Sequence, residues 1–154
     1  MFRVIDHTAD IGLLIEGKST EELFAEAARG MFSILAGERL HPHLFPPQFP
    51  HLLSSPLEGE EGKERGIRIR VTAKTLEELL VSFLNELLYL AEKEKAIFAQ
   101  FKIKIEKIKN RFCLKGEIKK NSQIPKREIK AATYHNLKIE KKNNFWQTRI
   151  IFDI

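Results

Sequence analysis

Ile11-Gly12-Leu13-Leu14-Ile15-Glu16-Gly17-Lys18-Ser19-Thr20-Glu21-Glu22-Leu23-Phe24 returns, 56 positions later, as Ile67-Arg68-Ile69-Arg70-Val71-Thr72-Ala73-Lys74-Thr75-Leu76-Glu77-Glu78-Leu79-Leu80. In each copy apolar residues alternate (Ile11, Leu13, Ile15; Ile67, Ile69, Val71), and side chains two apart share one face of a strand. The period then changes. Ser19 with Glu22, and Thr75 with Glu78, have the spacing in which a hydroxyl caps early backbone N–H groups while a glutamate reaches back to the cap residue. Strand, turn and helix start are therefore written twice, and a pseudo-twofold arrangement is expected.

The helices are predicted near 20–36 and 76–95. The first gathers Leu23, Phe24, Ala27, Ala28, Met31, Ile34 and Leu35 on a stripe, and Gly37 stands where a left-handed C-terminal cap belongs. The second is greasier, with Leu79, Leu80, Phe83, Leu84, Leu87, Leu88 and Leu90. Burial at about 0.8 kcal/mol per CH₂ makes both stripes scaffold. Beyond them, alternation predicts a hairpin over 99–118 turning at Asn110. A strand entered through Ile129-Lys130-Ala131-Ala132-Thr133-Tyr134-His135 is expected to continue through Leu137 and Ile139. A turn at Lys141-Lys142-Asn143-Asn144 then leads into a terminal strand, Phe145 to Asp153. Two helices against a mainly β remainder with tight turns argue for an α+β domain, a two-layer sandwich with both main helices packed on one face of a sheet.

The 154 residues, 43% hydrophobic, suffice for one domain with a real core. Residues 38–66 hold five of the six prolines and an acidic, glycine-containing run from Leu57 to Gly66, which reads as an extended insertion in a single domain 1–154. His41, His43 and His51 within it lack the nearby carboxylate or cysteine that closes a metal site. The single Cys113 falls in an alternating run and cannot make an internal bridge, which fits a reducing, cytoplasmic setting. No apolar stretch is long enough for a signal peptide or a bilayer span, so no membrane partner is expected.

Charge is uneven. Residues 1–99 carry 11 Lys and Arg against 16 Asp and Glu, whereas residues 100–154 carry 15 against 5. A basic half can bind nucleic acid or an acidic protein surface, and lysines can equally decorate the wet face or edge of strands.

Chemistry-bearing residues concentrate toward the two ends. His7, Asp10, Lys130, Tyr134, His135 and Asp153 fall at strand ends or on short connections. If the first and last strands are neighbours, Asp10, Asp153 and the carboxylate of Ile154 meet, and oxygen donors of this kind select Ca²⁺, Mg²⁺ or Mn²⁺ over zinc. The alternative is structural, with Asp10 capping the turn into its strand, Asp153 pairing with Lys130 or Arg149, and His7 satisfying a backbone carbonyl. No P-loop, dinucleotide-binding glycine fingerprint or nucleophile elbow is present, and no cysteine has an obvious base.

His7-Thr8-Ala9-Asp10-Ile11-Gly12, Glu21-Glu22-Leu23-Phe24, Leu84-Asn85-Glu86-Leu87-Leu88-Tyr89-Leu90, Glu128 to His135 and Ile151-Phe152-Asp153-Ile154 together resemble the archease family, in order and over nearly the whole chain. Residues 38–66 depart from it, since the family connection there is much shorter. The resemblance implies an accessory protein and not a stand-alone enzyme. Its partner would be the GTP-dependent, metal-dependent RNA ligase of tRNA splicing, whose active-site histidine it helps to guanylylate for repeated turnover, so that tRNA and GTP are met through the ligase. It also implies a divalent metal, commonly calcium, on Asp10, Asp153 and Ile154. His7, Lys130 and His135, from their positions at strand ends and connections, are the second-rank candidates for functional support. A tRNA-binding module, a chaperone for tRNA-modification enzymes and a metal-dependent hydrolase are the rival expectations.

Overall fold

A computed structural model describes residues 1–6, 10–37 and 66–154. The elements run in the order β1 (Phe2–Asp6), β2 (Asp10–Gly17), α1 (Thr20–Leu35), β3 (Ile67–Ala73), α2 (Leu76–Glu94), β4 (Phe98–Ile108), β5 (Arg111–Lys120), β6 (Ala131–Thr133), β7 (Glu140–Lys142) and β8 (Phe145–Asp153). His7 and the insertion, with its three histidines, lie outside the described residues. No helix among the described residues is long and apolar enough to cross a membrane.

Both copies of the repeat form strand, cap and helix in equivalent positions. The Ser19 hydroxyl accepts from the Glu22 N–H at 3.1 Å, and the Thr75 hydroxyl accepts from the Glu78 N–H at the same distance. The return arm lands one residue earlier than the spacing predicts. Glu22 accepts from the Lys18 N–H at 2.8 Å and Glu78 from the Lys74 N–H at 3.4 Å, so each glutamate ties the turn before the cap to the first helical turn. Gly37 adopts φ +72°, as a left-handed helix terminus requires. Helix α2 ends instead on Lys95 at φ 50°.

The α+β class stands, but the strands divide between two sheets instead of forming one. The first has the order β1-β2-β8-β6, with β7 pairing β8 beside β6; the second has the order β3-β5-β4. The reason lies in α1. Gly30 approaches Leu13 and Phe2 of the first sheet, while Phe32 meets the rings of Phe98 and Phe101 in the second at 5.6 and 5.8 Å. Residues two apart stand about 200° apart around a helix, so α1 is covered from opposite sides. A helix apolar nearly all round must be enclosed on both faces, and a single sheet cannot enclose it. Helix α2 likewise packs against β3 and β5 of one sheet and β6 of the other, and Phe24 of α1 stacks on Phe83 of α2 at 5.9 Å. The helices form the middle layer and one continuous core fills both interfaces.

The expected strand over 129–139 is also broken. After β6 the Leu137 N–H donates to the Tyr134 carbonyl, and Asn136 takes φ 52°, which turns the chain before β7. The final hairpin is as predicted: Asn143 and Asn144 both have positive φ, the geometry that matches strand twist in a two-residue connection.

Candidate functional site

β8 runs through the middle of the first sheet, bordered by β2 on one side and by β6 and β7 on the other. Its inward residues, Thr148, Ile150 and Phe152, lie opposite Ile15, Leu13 and Ile11 of β2. This apolar match sets the register, because a slip of one position would turn every buried side chain outward. With the register fixed, Asp10 falls directly opposite Asp153, and Ala131 faces Asp153 from the other side. By strand alternation all three project from the sheet face away from the helices.

The structure thus brings together two acidic residues separated by 143 positions in the chain. Directly opposed residues have Cβ atoms about 4.5–5.5 Å apart, and like charges so placed oppose sheet formation. Asp10 is partly buried and Asp153 exposed. Asp153 does not pair with Lys130 or Arg149: Lys130 reaches it through its backbone N–H, which donates to the Asp153 carbonyl at 2.8 Å. Ile154 follows at once and is 45% exposed. The donor chemistry of this strand end fits a hard divalent cation, with two carboxylates supplying part of its oxygen shell. Among the described residues no group of three or more His, Cys, Asp or Glu is close enough to complete that shell.

His135 lies apart from this pair. It occupies the turn after β6, four residues beyond Ala131 in a direction that leads away from Asp153 along β8. Its N–H donates to the Thr133 hydroxyl at 3.4 Å, and its ring nitrogen lies 3.4 Å from the Asn136 amide. Tyr134 is 54% exposed. A groove of about 530 Å³ between α1 and β4, lined by Glu21, Arg29, Phe101 and Lys102 among others, shares no residue with the carboxylate pair.

Sequence reasoning missed what holds β6 in place. The Ala132 N–H donates to Asn85 Oδ1 at 2.8 Å, and Asn85 Nδ2 donates to the Ala132 carbonyl at 3.3 Å. One amide from α2 satisfies both outward backbone groups of Ala132, as a further strand would. On the other side of β6, the Thr133 hydroxyl donates to the Ile151 carbonyl at 3.1 Å. The available signal was a polar Asn85 within the apolar run of α2.

Comparison with known proteins points in one direction. The Archease protein family (MTH1598/TM1083) matches residues 2–154. Protein archease of Pyrococcus furiosus is 34% identical over 155 residues, covering 97% of this chain and 95% of that one. The solution structure of Methanobacterium thermoautotrophicum protein 1598 superposes with a TM-score of 0.72 at 25% identity, covering 99% of this chain and 98% of that one. The crystal structure of a Thermotoga maritima protein named as an archease and possible chaperone gives 0.53 at 25% identity, covering 100% and 98%.

Proposed function

The chain belongs to the archease family, and on that premise we propose that it is an accessory protein that activates a GTP-dependent tRNA-splicing RNA ligase, promoting its guanylylation and multiple turnover. The observation that carries this reading is the cross-strand pairing of Asp10 with Asp153 inside a full-length family match.

In this reading Asp10, Asp153 and Ile154 hold a divalent ion, calcium first and magnesium or manganese as substitutes. Such an ion, when bound, supplies positive charge that offsets the carboxylates and favours an anionic partner group beside it. The protein's own part is positional. The β2–β8 register sets the two acids side by side, β6 buttresses Asp153 through the Lys130 N–H, and Asn85 buttresses β6. A two-acid site leaves coordination positions open to water or to groups of the ligase. Lys130 stands beside the pair as a supporting residue, and His7 and His135 are retained as candidates for ligase contact. A cytoplasmic setting, with tRNA and GTP met through the ligase, follows from the same reading.

The test is single-turnover guanylylation of the ligase with and without this protein. Faster formation of the ligase–guanylate adduct is expected, with loss of stimulation in Asp10→Ala and Asp153→Ala variants that still fold. Undiminished stimulation by both variants would reject the role of the pair. The name of the T. maritima relative favours a second reading, a general chaperone. Equal protection of several unrelated tRNA-modification enzymes, without effect on guanylylation, would support it instead.

A further inference from the structure

The outer face of the β3-β5-β4 sheet carries a charge pattern that folding alone does not call for. Arg70, Lys115 and Lys104 stand directly opposite one another across all three strands, and all are exposed. The next row along the strands is Arg68, Glu117 and Lys102. Neighbouring strands lie about 4.7–4.9 Å apart, and like charges directly opposite weaken their pairing. Lysines that guard a sheet against aggregation belong on its edge strands, yet Lys115 is on the central strand. Among the described residues one ion pair within 4 Å relieves this face, Lys104 with Glu106 at 3.0 Å. The outer face of the other sheet is mixed, with Arg3 and Arg149 set among Asp10, Glu16 and Asp153.

A repulsive row kept across three strands is neutralised when a polyanion lies along it. We infer that this face binds the phosphate backbone of RNA, with Arg70, Lys115 and Lys104 as the contact row and Arg68 and Lys102 beside it. An acidic protein is the less suited occupant, because protein interfaces draw most of their affinity from buried aromatic and aliphatic anchors, and these rows present none. Arginine adds bidentate recognition of phosphate. The choice of RNA over DNA rests on the ligase reading above, but binding itself requires no ligase. The surface is separate from the carboxylate pair, so the protein would hold RNA on one sheet and engage the ligase through the other.

The test is fluorescence anisotropy with the full-length protein alone and a labelled short single-stranded oligoribonucleotide, with DNA of the same sequence and poly-glutamate as comparison ligands. For single strands log K falls with log salt by about 0.7 per phosphate contact, so three contacts give a slope near −2 and about 18-fold weaker binding between about 50 and 200 mM salt. Each of Arg70→Gln, Lys104→Gln and Lys115→Gln should make the slope less negative by about 0.7, and the triple variant should lose nearly all binding. A melting temperature equal to or above that of the parent verifies that the triple variant is folded, since neutralisation removes repulsion. RNA bound at least as tightly as DNA is expected. No RNA binding at low salt, an unchanged slope in the triple variant, or tighter binding of DNA or poly-glutamate overturns the inference. Guanylylation measured separately distinguishes the two failures: stimulation without RNA binding removes this inference alone, and RNA binding without stimulation removes the ligase reading alone.

Discussion

Replacing Asn85 with Ala deletes two hydrogen bonds at once, the one Ala132 donates at 2.8 Å and the one it accepts at 3.3 Å. A net contribution of about 1 kcal/mol per bond gives a loss of about 2 kcal/mol. For a chain of this size that lowers the melting temperature by about 4–8 °C. The strand affected is only Ala131–Thr133, so the damage should be local. The Ala132 amide should exchange with solvent far faster, while amides in α1 and β5 lose protection only in proportion to global stability. Asn85→Asp separates geometry from chemistry. It keeps an acceptor for the Ala132 N–H but presents a charged oxygen to the Ala132 carbonyl, so it should cost more than Ala at neutral pH. Acidification, which restores a donor by protonating the carboxyl, should recover part of the loss. Denaturant unfolding together with hydrogen exchange measures both effects. A change under about 0.5 kcal/mol, the scale of an ordinary surface substitution, with Ala132 still protected, would refute the view that this amide anchors the strand beside Asp153.

Other outcomes follow from the same geometry. Gly17→Ala should cost about 2 kcal/mol in denaturant unfolding, because a Cβ there would lie 2.6 Å from the Leu23 backbone nitrogen and push the start of α1 off β2. Its counterpart 56 positions on, Ala73, already carries a methyl group, so Ala73→Gly should be far milder. Lys138 at 3.0 Å and Lys142 at 3.4 Å hold the Glu140 carboxyl below the usual carboxylate range, Lys138 having the larger effect. A depressed carboxyl stabilises the fold above the ordinary range and loses that contribution as pH falls through the lowered value. In an NMR titration Lys138→Ala should raise the Glu140 pKa more than Lys142→Ala does, and added salt should shrink the difference because the group is exposed.

Local features of this fold were readable in the chain, and most non-local ones were not. Capping pairs at Ser19 and Thr75, the turn at Asn143-Asn144 and the strand from Phe145 to Asp153 all depend on residues within a few positions of one another. The division into two sheets depends on which strands pair across long stretches of chain, and on α1 being apolar around most of its girth, a feature that a one-stripe reading of Leu23 to Leu35 conceals. The break after Thr133 hinged on Asn136 adopting a left-handed conformation, and Lys95 ends α2 in the same conformation without glycine to announce it. At the candidate site, two acids near the chain ends could meet only if the first and last strands were neighbours, and the family resemblance pointed to the same residues; their direct opposition is a matter of register, set by Leu13, Ile15, Ile150 and Phe152. Asn85 was legible as a family residue but not as the brace of β6, because its partner is a backbone 47 positions away.

Equilibrium titration of the metal-free protein with calcium tests the central claim most directly, by calorimetry and by melting temperature in parallel. One ion per chain is expected, with a stabilisation of about 2.7 kcal/mol when free calcium is a hundred times the dissociation constant. Asp10→Asn and Asp153→Asn should each abolish the response, and Asp153→Asn should melt no lower than the parent without calcium, since it relieves the like-charge pair. A parent that neither binds nor is stabilised by calcium, magnesium or manganese, or variants that respond as the parent does, would contradict the account.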